Sequence, residues 1–237
     1  MSLRIAVTGG SSGIGLAIAR QFAAKGHTVY SLSRRPSADG VRHIPCDVAD
    51  ESSVRQAFAA LEQAEGALDI LVNNAGFGIS GAAEFTDLDK AKALFDVGYF
   101  GLLACVKHAL PLLRKSASPL IVNVGSLAAA LPVPFQSVYS SAKAAVSALT
   151  LCLVNELRPF GVRVCAVLPG DVRTGFTAKR DKSQEGRALY GDRLERAVAR
   201  MEADEQNGMP PERIAAAVCR AAMERRPKPP VTGGAGH

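Results

Sequence analysis

The chain has 237 residues, of which 48% are hydrophobic and only 5% aromatic, with no tryptophan. That length suits one sizeable α/β domain and is short for two, and the core must be built from Ala, Val, Leu and Ile. The net charge of +6 comes largely from arginines scattered between Arg173 and Arg226, with no compact basic block and no nucleic-acid-binding motif, which argues against a nucleic-acid partner.

Residues 3–8 are an apolar run that reads as a buried strand, and residues 13–24 have helical composition. Between them lies Thr8-Gly9-Gly10-Ser11-Ser12-Gly13-Ile14-Gly15. Glycines in a strand-to-helix turn let the backbone approach a ligand closely. The following helix N-terminus offers free N–H groups and a positive dipole end to phosphate. The spacing is TGxxxGxG, wider than GxGxxG, and points to dinucleotide binding. A second strand, 28–33, ends in Ser33-Arg34-Arg35. An acid at that place would hold the ribose 2′-hydroxyl of NAD; two guanidinium groups instead favour the 2′-phosphate of NADP(H) over NAD(H).

Residues 41–48 read as a third strand ending in Asp47-Val48, and 49–62 as an amphipathic helix with Asp50-Glu51 in its first turn. Residues 68–72 form a fourth strand closed by Asn73-Asn74-Ala75-Gly76, small groups that leave room for a ligand at the carboxyl edge of the sheet. A long helix is expected over 88–115, interrupted at Gly98, Gly101 and Pro111, then a fifth strand over 120–124 opening into Gly125-Ser126. The helix at 137–157 carries Tyr139 and Lys143, four residues apart and therefore on one face. A neighbouring ammonium favours the phenolate, so this pair is expected to lower the tyrosine pKa and act as an acid/base device near neutral pH. A sixth strand, 162–168, runs into Pro169-Gly170-Asp171-Val172-Arg173-Thr174. Residues 174–191 are polar, without a strong period, and read as a mobile loop beside the site. Helices near 188–206 and 211–225 and an edge strand from 229–232 complete the chain. The alternation of strands and helices predicts a single doubly wound, Rossmann-type parallel sheet of about seven strands with helices on both faces. One domain spanning 1–237 is expected, with a substrate-facing region at about 174–209.

Cys46, Cys105, Cys152, Cys165 and Cys219 fall singly in apolar surroundings, and four histidines are dispersed. This suits buried free thiols in a reducing compartment and suggests no metal site. No stretch reads as the roughly 20 apolar residues of a spanning helix, and no anchor follows Thr232, so a cytoplasmic protein without a membrane partner is expected.

Taken in order, TGGSSGIG, Asp47-Val48, NNAG at 73–76, Ser126, YSSAK at 139–143 and PGDVRT at 169–174 resemble the short-chain dehydrogenase/reductase (SDR) family over nearly the whole chain. The resemblance implies that Tyr139 exchanges a proton with the substrate oxygen, Lys143 holds the nicotinamide ribose, and Ser126 binds the carbonyl oxygen as charge develops. Gly9, Ser11, Ser12, Gly13, Ile14 and Gly15 are the expected phosphate loop and Ser33, Arg34 and Arg35 the expected 2′-phosphate site, and by the same resemblance Asp47 and Val48 touch the adenine. Asn74, Ala75 and Gly76 would line the ribose, with Val172 and Thr174 at the carboxamide and nearby phosphate. The plain readings of Ser126 and Asn74 as turn residues are good for each alone and poor for the set.

One position departs from the family pattern. Gly98 stands where the family carries an asparagine that supports a water relay to the lysine. A glycine keeps the backbone carbonyl and tolerates a local helix distortion. The expected activity is reversible hydride transfer between NADP(H) and an apolar ketone or secondary alcohol, walled by residues 77–79, 127–134 and Phe176. A weakly active, NADP(H)-binding regulator is the alternative that Gly98 raises. Relatives pair through their long central helices, so a homodimer or homotetramer is implied.

Overall fold

The computed structural model describes residues 2–37 and 40–224. In chain order the elements are β1 (Arg4–Thr8), α1 (Gly13–Ala24), β2 (Thr28–Ser33), β3 (Arg42–Pro45), α2 (Glu51–Glu65), β4 (Ile70–Asn73), β5 (Ile79–Ser80), α3 (Leu88–Phe95) and α4 (Gly101–Leu113). They continue with β6 (Leu120–Val124), α5 (Ser137–Glu156), β7 (Arg163–Val167), α6 (Phe176–Lys179), β8 (Asp181–Lys182), α7 (Arg187–Tyr190), α8 (Asp192–Gln206) and α9 (Pro211–Met223). Six strands form one parallel sheet in the order β3-β2-β1-β4-β6-β7. The order reverses between β1 and β4, and the parallel register brings the carboxyl ends of all six strands to one edge. A crevice at such a reversal is where open α/β sheets bind ligands.

The strands are apolar on both faces because both are covered. Val54, Phe58 and Leu61 of α2, Cys105, Ala109 and Leu113 of α4, and Val146 and Leu153 of α5 pack on one side with Leu71 and Ile121. Ile18 and Phe22 of α1 and Ile214, Val218 and Ala221 of α9 pack on the other with Ile5, Val7, Ile70 and Val122. Each fully buried Leu, Ile or Phe contributes about 1.5–3 kcal/mol relative to exposure. Local signals set the helix limits. The Asp50 side chain accepts from the Ser52 N–H to start α2, and Gly66, left-handed at φ 71°, ends it. Asp87 accepts from the N–H groups of Asp89 and Lys90 to start α3.

Several expectations are corrected. The main sheet has six strands among the described residues, not about seven; the strand expected over 229–232 lies outside them. The third strand is short, Arg42–Pro45 rather than 41–48. The long central helix is interrupted by a π-helical turn, Asp96–Phe100, centred on Gly98. The stretch 174–191, expected to be a mobile loop without a strong period, holds α6, β8 and α7. Its β8 pairs in parallel with β5, and the ion pairs Lys90–Asp181 and Lys182–Glu202 fasten it to α3 and α8. Finally, Leu88–Leu113 and Ser137–Glu156 are both long and apolar enough to cross a membrane by length and composition. In this fold they cover the sheet, each with one side in the core.

Candidate active site

The turn between β1 and α1 is shaped by left-handed glycines, Gly9 at φ 65° and Gly13 at φ 54°. A Cβ on Gly15 would strike the Asn74 amide and the Gly9 carbonyl, so this position must be glycine for α1 to approach the β4 loop. Thr8 fastens the two loops together: its Oγ1 accepts from the N–H groups of Asn74 (2.9 Å) and Ala75 (3.0 Å), and Asn74 Nδ2 donates to the Thr8 carbonyl. The first turn of α1 has no acidic residue, and the Ser12 side chain does not cap it. Its N–H groups and positive dipole end therefore face a cavity of about 800 Å³. That arrangement fits the pyrophosphate of a dinucleotide.

Across the cavity, Arg34 and Arg35 follow β2, and Arg34 Nη1 lies 4.0 Å from Asp47 Oδ2. Ser33 is buried, and its hydroxyl is committed to the Arg35 carbonyl at 2.7 Å. Arg34 and Arg35 are the cationic side chains that line this end of the cavity.

The chemistry-bearing groups converge at the other end. Ser126 lies two residues beyond β6, and its Oγ accepts from the Ala128 N–H at 3.1 Å. Lys143 Nζ donates to the Val124 carbonyl at 2.9 Å and lies 5.9 Å from the centre of the Tyr139 ring. Burial pushes the Tyr139 phenol above its ordinary value, with the charge of Glu205 adding to it and the Ser126 hydrogen bond and the Arg180 charge opposing. Burial also pulls Lys143 from 10.5 down to about 8. The expected lowering of the tyrosine pKa is thus reversed. Both groups are desolvated, which disfavours each charged form more than their proximity favours it.

The family described as short chain dehydrogenase matches residues 4–185. The chain belongs to the short-chain dehydrogenase family. A 3-ketodihydrosphingosine reductase of Bacteroides thetaiotaomicron is 36% identical to this dehydrogenase over 227 residues, 94% of the chain and 84% of the relative. A solved short-chain dehydrogenase of Streptomyces avermitilis matches with a TM-score of 0.89 at 32% identity, covering 99% of this chain and 89% of that one. A serine dehydrogenase solved with NADP+ matches with a TM-score of 0.83 at 26% identity, over 97% and 94%.

The cavity of this short-chain dehydrogenase collects almost every site residue expected from the sequence. Gly9, Ser11, Ser12, Gly13, Ile14, Ser33, Arg34, Arg35, Asp47, Val48, Asn74, Ala75, Gly76, Ser126, Tyr139, Lys143, Val172 and Thr174 all line it. Gly15 does not; it serves the loop packing described above. Of the expected walls, Phe77, Leu127, Ala128, Leu131, Val133 and Phe176 are in place, whereas Gly78, Ile79, Ala129, Ala130, Pro132 and Pro134 are not. Sequence reasoning missed Gln136, Met201 and Glu205, which also line the cavity. Gln136 lies three residues before Tyr139, one helical turn away, a spacing that could have flagged it. Met201 and Glu205 sit on α8 and reach the site only through the tertiary fold.

Proposed function

We propose that this short-chain dehydrogenase is an NADP(H)-dependent oxidoreductase that moves hydride reversibly between the nicotinamide and an apolar ketone or secondary alcohol. The observation that carries the reading is the convergence of Ser126, Tyr139 and Lys143 in the cavity that begins at the glycine turn, beside the apolar walls of Phe77, Leu131, Val133 and Phe176. When bound, the nicotinamide supplies or accepts the hydride. Ser126 donates a hydrogen bond to the carbonyl oxygen, and Tyr139 delivers its phenolic proton there as the alcohol forms. The raised phenol pKa keeps that proton in place at neutral pH. Lys143, titrating near 8, stands one helical turn away to take part in replacing it.

The cofactor preference rests on Arg34 and Arg35, and the substrate class on the apolar walls. The Bacteroides relative makes a long-chain ketone of the 3-ketodihydrosphingosine kind the first compound to assay. Spectrophotometric assays with NADPH and NADH across a panel of apolar ketones test the whole reading. The expected result is NADPH oxidation that Tyr139→Phe abolishes. Replacing Arg34 and Arg35 together by alanine should narrow the NADPH-to-NADH ratio of kcat/KM by about 10- to 100-fold, the worth of one or two charge-assisted contacts. An unchanged ratio overturns the NADP(H) assignment.

The π-turn at Gly98 favours a second reading, a nucleotide-binding regulator with little turnover. Tight NADPH binding with no ketone reduced would select it.

A further inference from the structure

Arg34 and Arg35 stand on an arm, residues 34–37, that leaves the end of β2. Both are exposed, and long exposed cations are loosely held unless the backbone beneath them is fixed. Three uncharged serines fix it. Ser31 and Ser33, on the strand itself, are 0% and 5% exposed. Ser33 Oγ donates to the Arg35 carbonyl at 2.7 Å. A hydroxyl has one hydrogen, so the 2.9 Å contact between the Ser31 and Ser33 hydroxyls runs from Ser31 to Ser33. The two buried hydroxyls thus form a chain of one polarity that ends on the arm. The Ser33 carbonyl is held as well, accepting from His43 Nε2 at 2.8 Å and from the Cys46 N–H at 3.2 Å. Side chain and carbonyl are both committed at the point where the arm departs.

The far end of the arm is tied to the glycine turn. Ser37 Oγ donates to the Gly10 carbonyl at 2.9 Å, across 27 positions of sequence. Two further contacts press the turn onto β2. The Gly9 N–H donates to the Leu32 carbonyl at 2.9 Å. A Cβ on Gly10 would come within 2.7 Å of Ser31 Oγ, so the turn lies flush on the buried hydroxyl. The arm that bears the guanidinium groups and the turn that faces the pyrophosphate end are thereby joined. Neither Ser33 nor Ser37 has a hydroxyl hydrogen left to give a phosphate, and Ser37 does not line the cavity.

We propose that Ser33 and Ser37 are positioning residues that set the cofactor preference, by holding the Arg34–Arg35 arm in a fixed place relative to the glycine turn. A dinucleotide seated by its pyrophosphate on that turn then brings its 2′-phosphate to guanidinium groups already in position. Charge-assisted bonds to phosphate depend on that placement, and an arm held in advance has less freedom to lose on binding. NAD(H) has no 2′-phosphate and gains nothing from the arm. The proposal rests on the NADP(H) reading above and adds to it the groups that make two exposed arginines selective.

Calorimetric titrations with NADP+ and with NAD+ test it. The proteins are wild type, Ser33→Ala, Ser37→Ala, the Arg34→Ala/Arg35→Ala pair, and that pair with each serine change added. Ser33→Ala and Ser37→Ala should each weaken NADP+ by about 3- to 10-fold, the worth of one hydrogen bond, and move NAD+ by about twofold at most. A general loosening of the fold would weaken both cofactors together. In the background without the two arginines, the serine changes should alter NADP+ affinity by about twofold at most, because they act through the guanidinium groups. Ser37→Thr keeps the hydroxyl and should keep the wild-type ratio. Equal losses for both cofactors, an undiminished preference in the serine variants, or a serine effect that persists without the arginines overturns the proposal. Ser33 is buried; if Ser33→Ala fails to fold, Ser37, half-buried on the arm, decides the matter. A preference for NADP+ that the arginines control and the serines do not sinks the proposal and leaves the NADP(H) reading standing. No preference in wild type sinks both.

Discussion

At Lys143 the chemistry of the site opposes the stability of the fold. Its ammonium is buried and has the Val124 carbonyl as its hydrogen-bond partner. In the unfolded chain this lysine holds its proton up to pH 10.5, and in the native protein only up to about 8. Between those values the unfolded state binds the extra proton, so the lysine's contribution to native stability rises with pH across that window. The full difference is roughly 3 kcal/mol. Cofactor-free wild type and Lys143→Met compared by urea unfolding should therefore diverge with pH. Wild type gains on the variant from below pH 8 to above pH 10.5, and a gap independent of pH would refute the buried charge. The variant should also lose ketone reduction. Ser126 and Asn74 show the same economy of parts. Ser126 accepts from the Ala128 N–H and Asn74 donates to the Thr8 carbonyl, and each also lines the cavity.

Two glycines three residues apart separate the roles of the interrupted central helix. A Cβ on Gly98 meets nothing within 4 Å, whereas one on Gly101 comes within 2.7 Å of the Val48 carbonyl oxygen. Gly98→Ala should stabilise by about 0.5–1 kcal/mol through reduced backbone freedom. Gly101→Ala should destabilise by about 1–3 kcal/mol through overpacking. Denaturant midpoints at equal slope check both, and similar values for the two would contradict the described packing. The elements most legible in the sequence were those whose burial imposes a pattern. The strands before TGGSSGIG, NNAG and Ser126 are apolar runs, and the helix carrying Tyr139 has no breaker before Pro159. The elements of 174–191 were not legible, because two to four residues carry no period. The ladder Ile79–Asp181 and Ser80–Lys182 and the ion pairs from α3 and α8 hold them instead. For the same reason Glu205 was invisible as a site residue: α8 reads as an ordinary polar helix, and only its placement against Arg180 and Thr177 aims that side chain inward.

On the scale of the molecule, one face of the sheet carries apolar groups that point outward. The helices α4 and α5 close one face yet leave Phe100, Leu103 and Leu151 largely uncovered, with Leu151 54% exposed. Apolar residues facing outward from neighbouring helices fit the self-association that the family resemblance implies. Sedimentation of the wild-type protein should show a dimer or tetramer, and Leu151→Glu should shift it toward monomer without lowering the unfolding midpoint. A monomeric wild type would remove this reading.

The thiols of this protein differ sharply in access. Burial pushes Cys46 up to about 11 and Cys165 up to about 12, and it raises Cys105 and Cys219 as well. Cys152 alone of the five is exposed, on α5 beside Leu151. A maleimide dye at neutral pH should therefore couple at one place without mutagenesis. It would put a fluorescent reporter on the helix that bears the proton donor, next to the surface by which copies of the chain would meet.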